Sequence, residues 1–307
     1  MSTIISVIET ALPVFLALAI GMWCRNKQFI TREGVDTLKK VIINITLPFV
    51  LFNSFATAEY SIDSLILPVL IFIICCIMLV LGFFVIRATK TQSRLAPFLA
   101  SGFEAGMLGF ALFALLFPNE SISKFAILVL GQEIFVFTLY KMLLTGKTSF
   151  KAIIQDFFTS PTLIAVILGL LVGATGLYAQ FVRWNIAGII ESVTNFVSAP
   201  TGMIILLAVG FDLVIKEIPW KNTIGLVAMR MGIAGIMLAV LILLNRTVLN
   251  GMIFEGAAVL LFILPSPFVI PIFSDEPSER VQISSALSAL TLVSMLLFAV
   301  ISIIISI

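Results

Sequence analysis

Apolar runs of about 20 residues, the length that crosses a bilayer as a helix, succeed one another along nearly the whole chain and are separated by short polar connections. Hydropathy places ten spans at about 4–24, 36–57, 63–87, 95–117, 122–144, 160–179, 187–213, 219–245, 251–273 and 281–306. Two of them do not read as plain helices. In span nine Pro265, Ser266 and Pro267 interrupt the run, with Pro271 following. Proline has no N–H for the helix ladder and clashes with the preceding turn. In span four Glu104, Gly106 and Gly109 stand where Leu and Ile would be ordinary. Backbone groups freed at membrane depth need protein or a watery cavity to receive them. Such broken helices form substrate sites in many secondary transporters.

Kinked packing helices would explain either interruption alone. The pairing of the two is supported by an internal repeat. Span one reads Pro13-x3-Ala17-x3-Gly21 and span six reads Pro161-x3-Ala165-x3-Gly169. Spans two and seven carry central prolines, Pro48 and Pro200, and spans four and nine are the interrupted pair. Five spans per half is an odd number, so the halves have opposite orientations and the broken helices cross near the midplane. The expected fold is an all-α polytopic membrane protein, ten transmembrane helices as two inverted five-helix repeats. Residues 1–145 form the first repeat and 159–307 the second. The linker 146–158 places Phe150, Ile153, Ile154 and Phe157 on one helical face opposite Lys147 and Lys151, which suits a helix lying in the interface.

Charge orients the bundle. The connections after spans one, three, five, seven and nine hold most of the Lys and Arg, among them Arg25, Lys39, Lys40, Arg94, Lys141 and Arg280. The alternate connections hold only Lys124, Arg183 and Arg246. By the positive-inside rule the first set is cytoplasmic and both termini are extracytoplasmic, in a plasma membrane. Composition agrees: 61% of the 307 residues are hydrophobic and 11% are charged, where a soluble domain has about a quarter charged. The chain has no His and three Cys, so a metal site is not expected. No nucleophile–base set or phosphate-cradling glycine loop is found, and no basic run suggests nucleic acid.

The residues resemble those of the auxin efflux carrier family, its bacterial malate and malonate permease-like members in particular. The Pro13 and Gly21 of span one, the basic turn after it and Asn44-x3-Pro48 carry the likeness at the start. Span four has Glu104-x4-Gly109-x-Ala111, where the family's pattern is similar but with Asn and Pro in place of Glu104 and Ala111. Ser160-Pro161 in span six, the proline-led APTGMIILLAVGFDL of span seven and Leu264-Pro265 of span nine continue it. The resemblance implies a scaffold part, a transport part, and movement of organic acids.

Ionisable groups at membrane depth are candidates by default. Glu104 is the foremost, beside Gly106, where backbone can approach a ligand. Glu133 and Arg230 follow, Arg230 either pairing with an acid or meeting an anionic substrate. An anion is expected between the starts of the two half-helices, near Ser266 and Pro267 in span nine and around Gly106 to Gly109 in span four, because freed N–H groups and peptide dipoles favour negative charge there. The Ser266 hydroxyl adds a donor. Asn44 and Asn53, which flank Pro48, supply amides nearby, and Pro265 completes the set. Ser284, Ser288, Thr291 and Ser294 make a small polar stripe along span ten, read as helix packing.

A secondary transporter of small organic anions or weak acids such as dicarboxylates fits these features best. A non-transporting sensor or scaffold of the same fold is the alternative, and an intramembrane enzyme, which needs Glu104 and Glu133 to converge, stands behind both. No enzyme activity and no cofactor are expected, with H⁺ or Na⁺ open as the coupling ion. The partners expected are a small organic acid and the lipid bilayer, with a homodimer left open. Glu104 is the candidate proton carrier, and a fixed Na⁺ or a pair with Arg230 are its rival roles.

Overall fold

The computed structural model describes residues 2–58, 66–89, 91, 93–146, 159–213, 218–274 and 276–306. The amphipathic linker expected at 146–158 lies outside the described residues, save Gly146. Helices account for most of the described residues, and no strand occurs among them.

In chain order the helices are α1 (Ser2–Asn26), α2 (Arg32–Val41), α3 (Leu47–Ala56), α4 (Ile66–Ala88), α5 (Phe110–Leu116), α6 (Ser123–Phe135) and α7 (Lys141–Thr145). The second half holds α8 (Pro161–Ala174), α9 (Leu177–Arg183), α10 (Ala187–Ser198), α11 (Thr201–Asp212), α12 (Trp220–Thr247), α13 (Glu255–Ile263) and α14 (Pro277–Ser306). Five helical stretches are long and apolar enough to cross a membrane: Ile66–Ala88, Ser123–Thr145, Ala187–Asp212, Thr223–Thr247 and Pro277–Ile305. A sixth, α8 with α9, bends by 72°.

Of the remaining expected spans, span one is the single helix α1, and the other three are divided for identifiable reasons. A π-helical turn, Ile42–Thr46, joins α2 to α3 immediately ahead of Pro48. A wider turn is one way to pass a residue that cannot donate to the ladder. The Ile43 carbonyl in that turn accepts from the Thr162 hydroxyl at 2.7 Å. Spans four and nine are cut short by the breaks described below.

Packing gathers the helices into two groups, each drawing on both halves of the chain. In one, α1 packs on α11, and α3 packs on α8 and α10. In the other, α4 packs on α6, and α12 packs on α4, α13 and α14. The groups meet where α1 touches α14 and α11 touches α5. The α1–α11 crossing is close because glycines face backbone on both sides. A Cβ on Gly21 would run into the Leu207 carbonyl, and one on Gly210 into the Leu18 carbonyl. Small residues allow this approach where lipid offers no hydrophobic drive between helices. Large apolar side chains such as Phe84, Ile189 and Phe196 remain exposed on the outside, as a lipid-facing surface requires.

Charged side chains tie the ends of these helices. Arg25 donates to the Phe211 and Leu213 carbonyls at 3.0 and 2.7 Å, which closes the end of α11. Arg32 reaches Asp212 at 2.6 Å, and Lys39 joins the same carboxylate. Glu279 at the start of α14 accepts from the Ser93 hydroxyl at 2.7 Å and the Leu95 N–H at 3.0 Å.

Candidate functional site

Both interrupted segments are broken, and they are hydrogen-bonded to each other at the breaks. The segment of span four begins as a 3-10 turn, Ala96–Ala100, runs non-helically through 101–104, and resumes as a π turn, Ala105–Gly109, leading into α5. The segment of span nine leaves α13 at Ile263, runs non-helically through the two prolines, and ends in a 3-10 turn, Ile270–Phe273. The Glu104 N–H donates to the Pro265 carbonyl at 2.9 Å. In return the Phe268 N–H donates to the Glu104 carboxylate, Oε2, at 2.7 Å. Gly102 makes the approach feasible. Its φ is +71°, and a Cβ there would come 2.9 Å from Cγ of Pro267, so neither the conformation nor the space suits another residue.

Broken helices in an apolar medium must still pair their carbonyls, and here side chains from three other segments and from the facing break do so. In the first break Tyr140 donates to Phe98 O at 2.8 Å, Ser266 to Leu99 O at 2.5 Å and Arg230 Nη1 to Ala100 O at 2.9 Å. In the second, Ser294 donates to Ile263 O at 2.5 Å and Arg230 Nη2 to Leu264 O at 3.2 Å. Arg230 is fully buried. Its guanidinium lies 4.7 Å from the centre of the Phe103 ring, a cation–π position that offsets part of the cost of burying a charge. Gln132 completes the support. Its Oε1 accepts from the Phe103 N–H at 3.2 Å, and its Nε2 donates to Glu133 at 2.9 Å.

A cavity of about 1300 Å³ reaches this crossing from one end of the bundle. Phe103, Glu104, Gly106, Glu133, Pro267 and Phe268 line its floor. Ser284, Ser285, Ser288 and Thr291 on α14 line one wall. Arg32, Lys39, Lys40, Lys141 and Arg280, with Asp36 and Asp212, belong to the lining at the helix ends. These are residues of the connections read as cytoplasmic. A rim with this excess of positive charge concentrates anions at the entrance.

The predicted residues therefore separate into three groups. Glu104, Gly106, Pro267 and Glu133 line the cavity. Pro265, Ser266, Gly109 and Arg230 lie behind its floor, where they hold the crossing together. Ser266 is fully buried with its hydroxyl turned to Leu99. A Cβ on Gly109 would crowd the Phe125 ring and Leu264. Asn44, Pro48 and Asn53 are apart from the cavity lining. Asn44 is exposed and donates to its own helix at Lys40 O, 2.8 Å, Pro48 is buried in α3, and the buried Asn53 Oδ1 has no hydrogen-bond partner.

Three details differ from the expectation. The half-helix in span four starts at Ala105, just ahead of the stretch Gly106 to Gly109 where it was expected, because the non-helical residues are 101–104. After the span-nine break only a four-residue 3-10 turn follows, since Pro267 and Pro271 deny the ladder its donors. No helix dipole of consequence points from there at a ligand. In span ten Ser284, Ser288 and Thr291 face the cavity, and only Ser294 serves a neighbouring segment. Gly102, Gln132 and Phe268 were not among the candidates. The Gly102–Gly106 spacing around Glu104 was a usable signal for the first, and nothing local marks Phe268.

Residues 6–157 match the family model described as Membrane transport protein. The matched stretch contains the first break and Glu133, and ends before the second half. No curated protein matches the chain.

Proposed function

Because the chain belongs to the membrane transport protein family, that of the auxin efflux carriers, we propose that it is a secondary-active transporter of small organic anions or weak acids such as dicarboxylates. It is a multi-pass membrane protein. The observation that carries the substrate reading is the cavity. It joins a cationic rim to a floor built from the two breaks, with Ser284, Ser285, Ser288 and Thr291 along one wall. In this reading the ten spans form two inverted repeats, 1–145 and 159–307, joined by 146–158. Both termini are extracytoplasmic, and the rim faces the cytoplasm of a cell whose plasma membrane holds the protein. The two packing groups, one around α1, α3 and α11 and the other around α4, α12 and α14, move relative to one another, so that the crossing meets each side in turn.

Glu104 is the coupling group in this reading. A carboxylate on the floor repels an anionic substrate, and a proton on it removes that repulsion, so proton and anion bind and leave together. Arg230 is not needed as its counter-ion, since Nη1 and Nη2 serve the Ala100 and Leu264 carbonyls. Na⁺ held by Glu104 is the competing form of coupling.

Flux into reconstituted vesicles across a panel of mono- and dicarboxylates tests the function. Saturable uptake of at least one acid is expected, and no uptake of any would leave a sensor or scaffold of the same fold. Glu104→Gln tests the coupling. It should keep substrate exchange and lose accumulation driven by a pH gradient, whereas a wild-type pH dependence removes Glu104 from the role.

A further inference from the structure

The basic residues that line the cavity stand at its rim, while Glu104 and Glu133 both line its floor. An external carboxylate that reaches the crossing meets the Phe268 N–H, the first main-chain donor after Pro267. That donor is already engaged by the Glu104 carboxylate at 2.7 Å. We propose that Glu104 is a built-in anion, which fills the position of a substrate carboxylate beside Phe268 and must leave it before an external carboxylate can bind. This deepens the transport reading and rests on its placement of the substrate in the cavity.

Two features make the exchange feasible. The main chain of Glu104 is held separately, through its N–H and the Pro265 carbonyl at 2.9 Å. The side chain can therefore swing away while the crossing stays closed. The carboxylate also borders the 1300 Å³ cavity, which has room for it and for its replacement. A charged acceptor makes a stronger hydrogen bond than a neutral one, so protonation of Glu104 weakens its hold on Phe268 and favours the external anion. The ionisable groups that share its field are Glu133 on α6 and Tyr140 after α6, with Arg230 on α12 behind the crossing. Glu133 opposes a second negative charge on the floor, while Arg230 is turned to the Ala100 and Leu264 carbonyls.

Chemical rescue tests the proposal without using flux. The full-length protein and its Glu104→Ala and Glu104→Gln variants are titrated with acetate at neutral pH, and the unfolding temperature is followed. Glu104→Ala vacates the position, so acetate should raise its unfolding temperature saturably, with an affinity roughly tenfold or more above that for the wild type, as loss of a competing charged hydrogen bond implies. Acetamide, of the same shape but neutral, should have little effect. Glu104→Gln keeps an oxygen acceptor beside Phe268 and should respond no more than the wild type. If Glu104→Ala does not fold, Glu104→Ser offers the same vacancy. An equal response in wild type and variant, or no response in either small variant, overturns the built-in anion. Rescue by acetate in a protein that moves no carboxylate in vesicles would overturn the transport reading alone.

Discussion

Arg230 lies with its guanidinium 4.7 Å from the Phe103 ring centre, and from there it donates to one carbonyl in each broken segment, Ala100 and Leu264. One buried cation thus terminates two interrupted helices. Its position on the uninterrupted α12 makes that helix the fixed support of the crossing.

Replacing Arg230 with Ala leaves both carbonyls without a donor in a dry interior, at a cost of about 2–5 kcal/mol. Lys cannot restore the fork with one ammonium. Both variants should unfold at lower temperature in detergent, and Arg230→Lys should recover less than half of the loss. A wild-type unfolding temperature in Arg230→Ala would show that other donors reach these carbonyls.

Ser266→Ala is a stability change rather than an affinity change. The hydroxyl is fully buried and serves Leu99 O, so its removal should cost about 1–3 kcal/mol. Substrate affinity, measured on the folded fraction, should stay within a factor of about three. A large affinity loss with unchanged stability would put this hydroxyl in contact with the ligand.

Gly102 and Gly106 should respond in opposite ways to alanine. At Gly102 a methyl meets the Pro267 ring in a left-handed conformation, and the strain is worth about 1–3 kcal/mol. At Gly106 the added Cβ has Leu47 Cδ2 at 3.6 Å as its nearest neighbour. Gly106→Ala should therefore fold with wild-type yield yet slow flux, because Gly106 lines the cavity. Equal flux in this variant would mean that substrate does not approach the start of α5.

The rim charges should act on rate, and through salt. Lys40→Gln combined with Lys141→Gln removes two positive charges from the cavity lining. Anion uptake from the rim side should fall several-fold at low ionic strength and converge with the wild type near 1 M salt, where screening reaches about 3 Å. A difference that persists at high salt would point to direct contact with the substrate instead.

Local chemistry determined much of this protein before any packing was considered. The long apolar runs dictate a helical membrane protein, since only closed hydrogen-bonding can enter lipid. Pro265 and Pro267 end α13 wherever it sits, because the missing N–H is a property of the residue. Glu104 in an apolar run marks a place where a charge is retained at cost. Partnership is different. The sequence of α14 shows that Ser284, Ser288, Thr291 and Ser294 share a face, but not that the first three meet a cavity and the last meets Ile263. That depends on how far α14 is rotated against α12 and α13. Asn44 lies four residues ahead of Pro48, yet it turns outward on its own helix, since the π turn at Ile42–Thr46 shifts the register of that face. The bonds from Glu104 to Pro265 and Phe268, and those from Arg230 to Ala100 and Leu264, join residues far apart in the chain. Only the folded bundle brings them within 3.2 Å of one another, because hydrogen bonding at membrane depth is settled by which groups tertiary packing leaves within reach.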